Sequence, residues 1–289
     1  MYNDIRIRGL SRIEFSYRLL RDYPPMFSLF QFDGPVLLAI IAVMLFAGLI
    51  HGTLGLGFPM VATPILATMM DVRSAILVTL LPTMAVNIAS IINSKSTLKK
   101  TRQFFPLVFF ALLGTLVGTS VLATVDPAPF RIVLAGLILL YLWNNLRIPR
   151  QWLEDHALLA MALFGLSAGI AAGTTNVMVA ILIIYFLSLE TPRSTMVPAL
   201  NSCFLVGKAS QIVVLAIVGL VGFRLLLETA PLALAAVIAL LLGQRLHSRI
   251  QVSTYQAILR KLLLLLALIL IYQFMNEANL VPELFGQSG

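Results

Sequence analysis

Cysteine is almost missing from this chain. Cys203 is the only one in 289 residues, so no intrachain disulfide and no cysteine-based metal site is available. Histidine is scarce as well, and His51, His156 and His247 lie too far apart in sequence to form a zinc motif. Charge is the largest deficit: Asp, Glu, Lys and Arg together make up 11% of the residues, less than half the share usual in soluble domains. Apolar residues take their place, at 60% of the chain, and the mean hydropathy is +0.97. These proportions exclude a water-soluble globule, a disordered chain, a collagen-like chain and a disulfide scaffold. Catalytic signatures are missing too: there is no Walker loop, no His-Glu-x-x-His and no metal-ligand cluster. An ATP-driven pump and a membrane metalloprotease are disfavoured. No enzyme activity, cofactor or metal is expected.

What is present is an all-α, polytopic helical membrane protein. The formal charge of +8 does not make a nucleic-acid footprint, because the basic residues sit in short clusters between apolar stretches, as in loops at an anionic membrane surface. Residues 1–33 carry Arg6, Arg8, Arg12, Arg18 and Arg21 without a long apolar run, so they do not read as a cleavable signal peptide. They read either as a helix lying on the membrane surface or as a disordered tail.

A membrane-crossing helix needs about 20 mostly apolar residues. Residues 75–93, 104–123, 130–146 and 254–275 meet that closely, and 194–219 and 225–244 are further candidates. Two other regions do not fit one helix each. Residues 34–70 would make a helix of roughly 55 Å and residues 157–187 one of roughly 46 Å. Glycine interrupts both, at Gly48, Gly52, Gly55 and Gly57 in the first and at Gly165, Gly169 and Gly173 in the second.

These interrupted regions open matching segments. Gly48 and Gly52 recur as Gly165 and Gly169, Arg73-Ser74 as Arg193-Ser194, and Pro106 and Gly118 as Pro231 and Gly243. The chain therefore divides into a tail (1–33), a first membrane repeat (34–147), a connecting loop (148–156), a second repeat (157–275) and a C-terminal tail (276–289). Each repeat holds one glycine-broken hairpin followed by three spanning helices. Loop charge predicts that the repeats are inverted. The 95–102 loop is basic and should face the cytoplasm, the loop at Asp126 should face out, and Arg147 and Arg150 should return inside. In the second half Arg245 and Arg249 cluster one loop later and the C-terminal tail has only acids, so matching loops fall on opposite sides. The scheme puts residue 33 outside although the tail arginines favour the inside, and the alternation over four helices outweighs them.

Backbone that leaves helical form at membrane depth must line a cavity or be buried in protein. The paired breaks are therefore the best pointer to a transport site. In the second half, Gly173-Thr174-Thr175-Asn176 reads as the N-cap of a half-helix, whose free N–H groups and dipole favour an anion. In the first half His51, Gly52, Thr53, Gly55 and Gly57 play the corresponding part, with Pro59 suited to the first helical turn. Against this stands plain close packing of helices through small residues, above all for Gly48, Gly52, Gly165 and Gly169. Lys208 lies mid-segment, where a cation costs about 2.5–3.5 kcal/mol on insertion scales. No acid lies deep in any candidate span, so its natural partner is a bound anion or the carbonyls of a broken helix; the alternative is snorkelling. Asn87 and Asn201, with Ser202 beside it, either bind substrate oxygens or act as interhelical glue. His51 reads more simply as a packing histidine than a proton carrier, Cys203 as a small buried hydrophobe, and Arg73 and Arg193 as helix-end markers.

The stretch from Gly48 through His51-Gly52, Gly55-Leu-Gly57-Phe58-Pro59 to Thr63-Pro64, with the glycine-rich segment at 165–176, resembles the sulfite exporter TauE/SafE family. The resemblance runs from about residue 34 to 275. It departs at Thr174-Thr175-Asn176, where the family commonly has a richer glycine run. It implies a secondary transporter of small anions such as sulfite, sulfoacetate or other organosulfonates, often exporting, in the bacterial inner membrane. Expected partners are a small anionic solute and the lipid bilayer, with no nucleic acid. The coupling ion and a homo-oligomeric state stay open. Two rivals are a transporter of a neutral or zwitterionic solute and a non-transporting membrane scaffold.

Overall fold

The computed structural model describes residues 28–93, 101–143, 146–246 and 252–278. The N-terminal tail as far as residue 27, most of the basic 95–102 loop, His247, Arg249 and the C-terminal tail from 279 lie outside the described residues.

Every regular element among the described residues is helical. The first half holds α1 (Gly34–Leu54), α2 (Phe58–Ala67), α3 (Val72–Asn93), α4 (Phe105–Thr124) and α5 (Pro129–Leu142). The connecting segment is not a simple loop, since it carries the short helix α6 (Arg150–Asp155). The second half repeats the order with α7 (Ala157–Thr175), α8 (Val179–Ser188), α9 (Arg193–Ile217), α10 (Phe223–Leu246) and α11 (Val252–Glu277). Seven of these helices are long and apolar enough to cross a membrane, and α2, α5 and α8 are shorter. The sequence expectation of a full helix over 130–146 is corrected: α5 stops at Leu142 after 14 residues.

The two over-long apolar regions are each split into a long helix and a short one. Residues 34–70 form α1 and α2, parted at Gly55 and Gly57, whose φ values of 79° and 102° are left-handed. Glycine takes that conformation without the Cβ clash that other residues suffer. Residues 157–187 form α7 and α8, parted at Asn176, also left-handed at φ 67°. Asparagine is the side chain that best tolerates this region.

Packing is reciprocal between the halves. α1 lies closest to α10, and α7 to α4. Both seams are made of glycine. A Cβ on Gly48 would strike the Ala236 carbonyl, and one on Gly52 the Leu240 carbonyl. A Cβ on Gly169 would strike the Ala111 carbonyl, and one on Gly173 would come within 2.5 Å of the Thr119 nitrogen. Without a hydrophobic drive between helices in lipid, such close approach supplies the dispersion contacts that hold them. Contact order along the seams rises together, so α1 runs parallel to α10 and α7 parallel to α4. α3 runs antiparallel to α9: Ser90 meets Asn201, while Leu77 and Leu80 cluster with Leu215. α5 and α11 are also antiparallel, with Arg131 at the start of one paired to Glu277 at the end of the other.

These directions give the molecule two unlike ends. Where α3 stops lie Arg102, Arg147, Arg150, Arg193 and Arg245, with Glu154, Asp155 and Glu190. Where α3 begins lie Asp33, Asp71, Asp126 and Glu277, with Arg73, Arg131 and Arg224. Leu38, Phe109, Val117, Leu163 and Leu234 are exposed on the outer faces, as lipid contact requires. Arg73 and Arg193 do mark helix ends. Arg73 donates to the Leu122 and Val125 carbonyls at the end of α4, and Arg193 to the Leu54 carbonyl at 2.6 Å and the Thr53 carbonyl at 3.5 Å at the end of α1. Guanidinium groups there satisfy carbonyls that a helix terminus leaves open.

Candidate functional site

Each helix break is tied down by side chains from other helices. At the α1–α2 break, Asn201 Nδ2 of α9 donates to the Gly55 carbonyl at 3.3 Å and to Ser90 Oγ of α3 at 3.0 Å. His51 Nδ1 accepts the Phe58 N–H at 3.2 Å, which bridges the break itself. Because Nδ1 accepts, the ring's proton sits on Nε2, a donor. At the α7–α8 break, Asn176 Nδ2 donates to Thr63 Oγ1 of α2 at 2.8 Å and Thr79 Oγ1 of α3 at 3.1 Å. One turn earlier, the Gly173 carbonyl accepts from Gln211 Nε2 of α9 at 3.1 Å. Gln211 Oε1 in turn accepts from Lys208 Nζ.

The breaks do not converge on one point. Thr79 and Ser90, which reach one break each, are eleven residues apart on α3, about 16 Å along its axis. Asn201 and Gln211 span a similar distance on α9. Between them α3 carries a buried polar stripe, Thr79, Thr83, Asn87 and Ser90, at the four- and three-residue spacing that keeps side chains on one helix face. Asn87 Nδ2 donates to the Thr83 carbonyl at 2.7 Å. The breaks are thus joined by a polar seam rather than merged into one midplane pocket.

Several buried atoms along this seam have no hydrogen-bond partner among the described residues: His51 Nε2, Thr83 Oγ1, Asn87 Oδ1, Asn176 Oδ1, Asn201 Oδ1 and Thr119 Oγ1. An unpartnered buried polar atom costs about 1–3 kcal/mol, a cost that a polar molecule or water placed among these atoms would relieve. Asn87 and Asn201 each give their amide N–H₂ to a backbone carbonyl, which fixes their oxygens as the open acceptors. Lys208 is 3% exposed, and its only hydrogen-bond partner among the described residues is Gln211; no carboxylate pairs with it. From the α3–α9 register it lies at the depth of Thr83.

The sequence-derived residues fall into three groups. His51, Gly55, Asn87 and Asn201 gather at the first break and its stripe. Asn176, the Gly173 carbonyl and Lys208 gather at the second. The remaining positions are engaged locally: Thr53, Thr174, Thr175 and Ser202 bond back to carbonyls of their own helices, and Gly52 and Gly169 pack against α10 and α4. Gly57 starts α2, and a Cβ there would meet nothing within 4 Å. One expectation is corrected. Thr174 and Thr175 do not begin the half-helix; α7 runs through both, Asn176 is its C-cap, and α8 starts at Val179. Gly173 lacks the side chain that would strike α4, so the last turn of α7 stays helical and packs directly against it. Sequence reading missed Thr63, Thr79, Thr83 and Gln211. The three-and-four spacing of Thr79, Thr83, Asn87 and Ser90 in an apolar helix was the available signal.

Comparison with known families gives a match over most of the chain. The family model described as sulfite exporter TauE/SafE matches residues 40–272, which takes in both breaks and the whole polar seam. No curated protein and no solved structure matches the chain.

Proposed function

The chain belongs to the sulfite exporter TauE/SafE family, a family of membrane transporters, and from that premise we propose that it moves small sulfur oxyanions or organosulfonates, in the export direction, across a bacterial inner membrane. The observation that carries this is Lys208: a buried ammonium without a carboxylate partner among the described residues, beside a broken helix on a polar seam. An anion passing along the seam supplies the counter-charge, so the cost of burying Lys208 is offset when substrate is present. Thr83 and Thr119 offer hydroxyls, and His51 Nε2–H offers a donor at the other break. Sulfite and sulfoacetate are the substrates we favour within the class.

The two halves act as inverted repeats in this proposal. Helix directions support it: α3 and its counterpart α9 run oppositely, as do α5 and α11. Alternating access then follows from moving the α1–α10 and α4–α7 pairs relative to the α3–α9 seam. The end rich in arginine faces the cytoplasm, in line with the positive-inside rule.

A zwitterionic solute is the second reading, and it has an observation of its own. Asn87 Oδ1 and Asn201 Oδ1 are open acceptors, which suit an ammonium group as on an amino sulfonate. Thermal unfolding of the purified protein against sulfite, sulfate, sulfoacetate, taurine, acetate and phosphate at fixed ionic strength separates the readings. A compound at 100 times its dissociation constant stabilises by about 2.7 kcal/mol. Stabilisation by sulfite or sulfoacetate, and not taurine, is expected. Stabilisation by taurine alone favours the zwitterion, and no stabilisation by any contradicts the anion reading.

A further inference from the structure

At the arginine-rich end, a cavity of about 250 Å³ opens between Leu54 and Leu56 at the α1–α2 break, Tyr141 of α5, Ile183 and Leu187 of α8, Arg193 of α9 and Arg260 of α11. It lies away from Lys208, which does not line it. Among the described residues its polar lining is two guanidinium groups and a phenol, with no carboxylate. Arg193 is half committed: its Nη2 serves the Thr53 and Leu54 carbonyls, while its Nε and Nη1 are open among the described residues. Arg260 makes no hydrogen bond or ion pair among the described residues. Two unneutralised guanidinium groups over apolar walls form an electrostatic funnel, because the low-dielectric lining weakens screening. Guanidinium also matches carboxylate and sulfonate oxygens in a planar, two-point fashion that an ammonium does not.

We infer that this cavity is a second anion site, a vestibule that selects small dianions bearing two separated acidic groups, such as a sulfonate and a carboxylate, before they enter the seam. Arg260 takes one acidic group and the free edge of Arg193 the other, with Tyr141 within the same cavity as a further donor. The volume of about 250 Å³, under the roughly 300–1,000 Å³ of drug-sized pockets, suits a molecule of that size. Since Arg193 also holds the end of α1, a dianion that draws its guanidinium outward loosens the first helix break. Loading of the vestibule is thereby tied to opening of the seam. The inference rests on the anion-transport reading but is tested separately from it.

The test is calorimetric titration of the purified full-length chain with sulfoacetate and with methanesulfonate at fixed ionic strength. Wild type is expected to bind the dianion at least tenfold more tightly than the monoanion. Arg260→Gln is expected to weaken sulfoacetate binding tenfold or more and to level the preference. Arg260→Lys should restore part of the affinity and less of the preference. Arg260 is exposed, so its variants keep the fold, and an unchanged elution profile and circular dichroism check this. An unchanged preference in Arg260→Gln overturns the vestibule and leaves the transport reading standing. Binding of neither anion by wild type overturns both.

Discussion

Lys208 is where the residue-scale argument concentrates. A single cation in an apolar helix is easily read from sequence, and so is the want of a deep acid to neutralise it. Gln211 lies three residues on along the same helix, so its meeting with Lys208 follows from helix spacing. What was not legible is that Gln211 also reaches the Gly173 carbonyl, which happens only once α7 and α9 pack. Asn201 makes the complementary point. Sequence left it between glue and substrate contact, and its geometry holds both: the amide N–H₂ ties α9 to the Gly55 carbonyl while Oδ1 stays open. Removing the tie and the acceptor together in Asn201→Leu should cost about 1–3 kcal/mol through the unsatisfied Gly55 carbonyl, seen as a lower unfolding midpoint. An Asn201→Leu protein as stable as wild type would show that the tie carries no weight.

At the scale of elements, the glycines divide by role in a way that spacing alone does not reveal. Gly48, Gly52, Gly165 and Gly169 belong to helix seams, while Gly55 and Gly57 carry left-handed backbone. Gly57→Ala separates the two roles, because a Cβ there meets nothing within 4 Å and only the φ of 102° is opposed. The expected loss is about 1–3 kcal/mol of backbone strain, measured by thermal unfolding. Gly169→Leu acts through the seam instead. Its side chain must displace the Ala111 carbonyl, so α7 and α4 should part and folded yield should fall sharply; full yield would contradict the seam. The break at Asn176 was the hardest to read, since a Thr-Thr-Asn run signals a helix start in sequence. Here the left-handed asparagine ends a helix, and the cross-helix bonds to Thr63 and Thr79 decide it. Local propensity yields to tertiary contact when the contact is buried.

Over the whole molecule, hydropathy made the all-helical membrane architecture legible before any coordinates. The order of one broken hairpin and three helices in each half follows from length arithmetic and matching glycines. What length arithmetic could not supply was how residues 34–70 cross. α1 is a full-length helix, and the unwound Gly55–Gly57 segment with the short α2 brings the chain back to the end where α3 begins. That return is what lets α1 and α3 run in the same direction. It also places the two breaks at different depths, about 16 Å apart along α3. Reporter fusions at residue 98 and at the C-terminus should land on opposite sides of the membrane, the former inside; the same side for both would contradict the inverted arrangement.

Transport of an anion past Lys208 is the central claim, and flux measures it most directly. Purified wild type and Lys208→Ala, reconstituted into liposomes at matched protein content, would be compared for efflux of preloaded sulfite and sulfoacetate. Wild type should exceed protein-free liposomes, and Lys208→Ala should lose at least tenfold of that flux while its unfolding midpoint stays close to wild type. Undiminished flux in a well-folded Lys208→Ala protein would remove Lys208 from the path and contradict the proposed role of the seam.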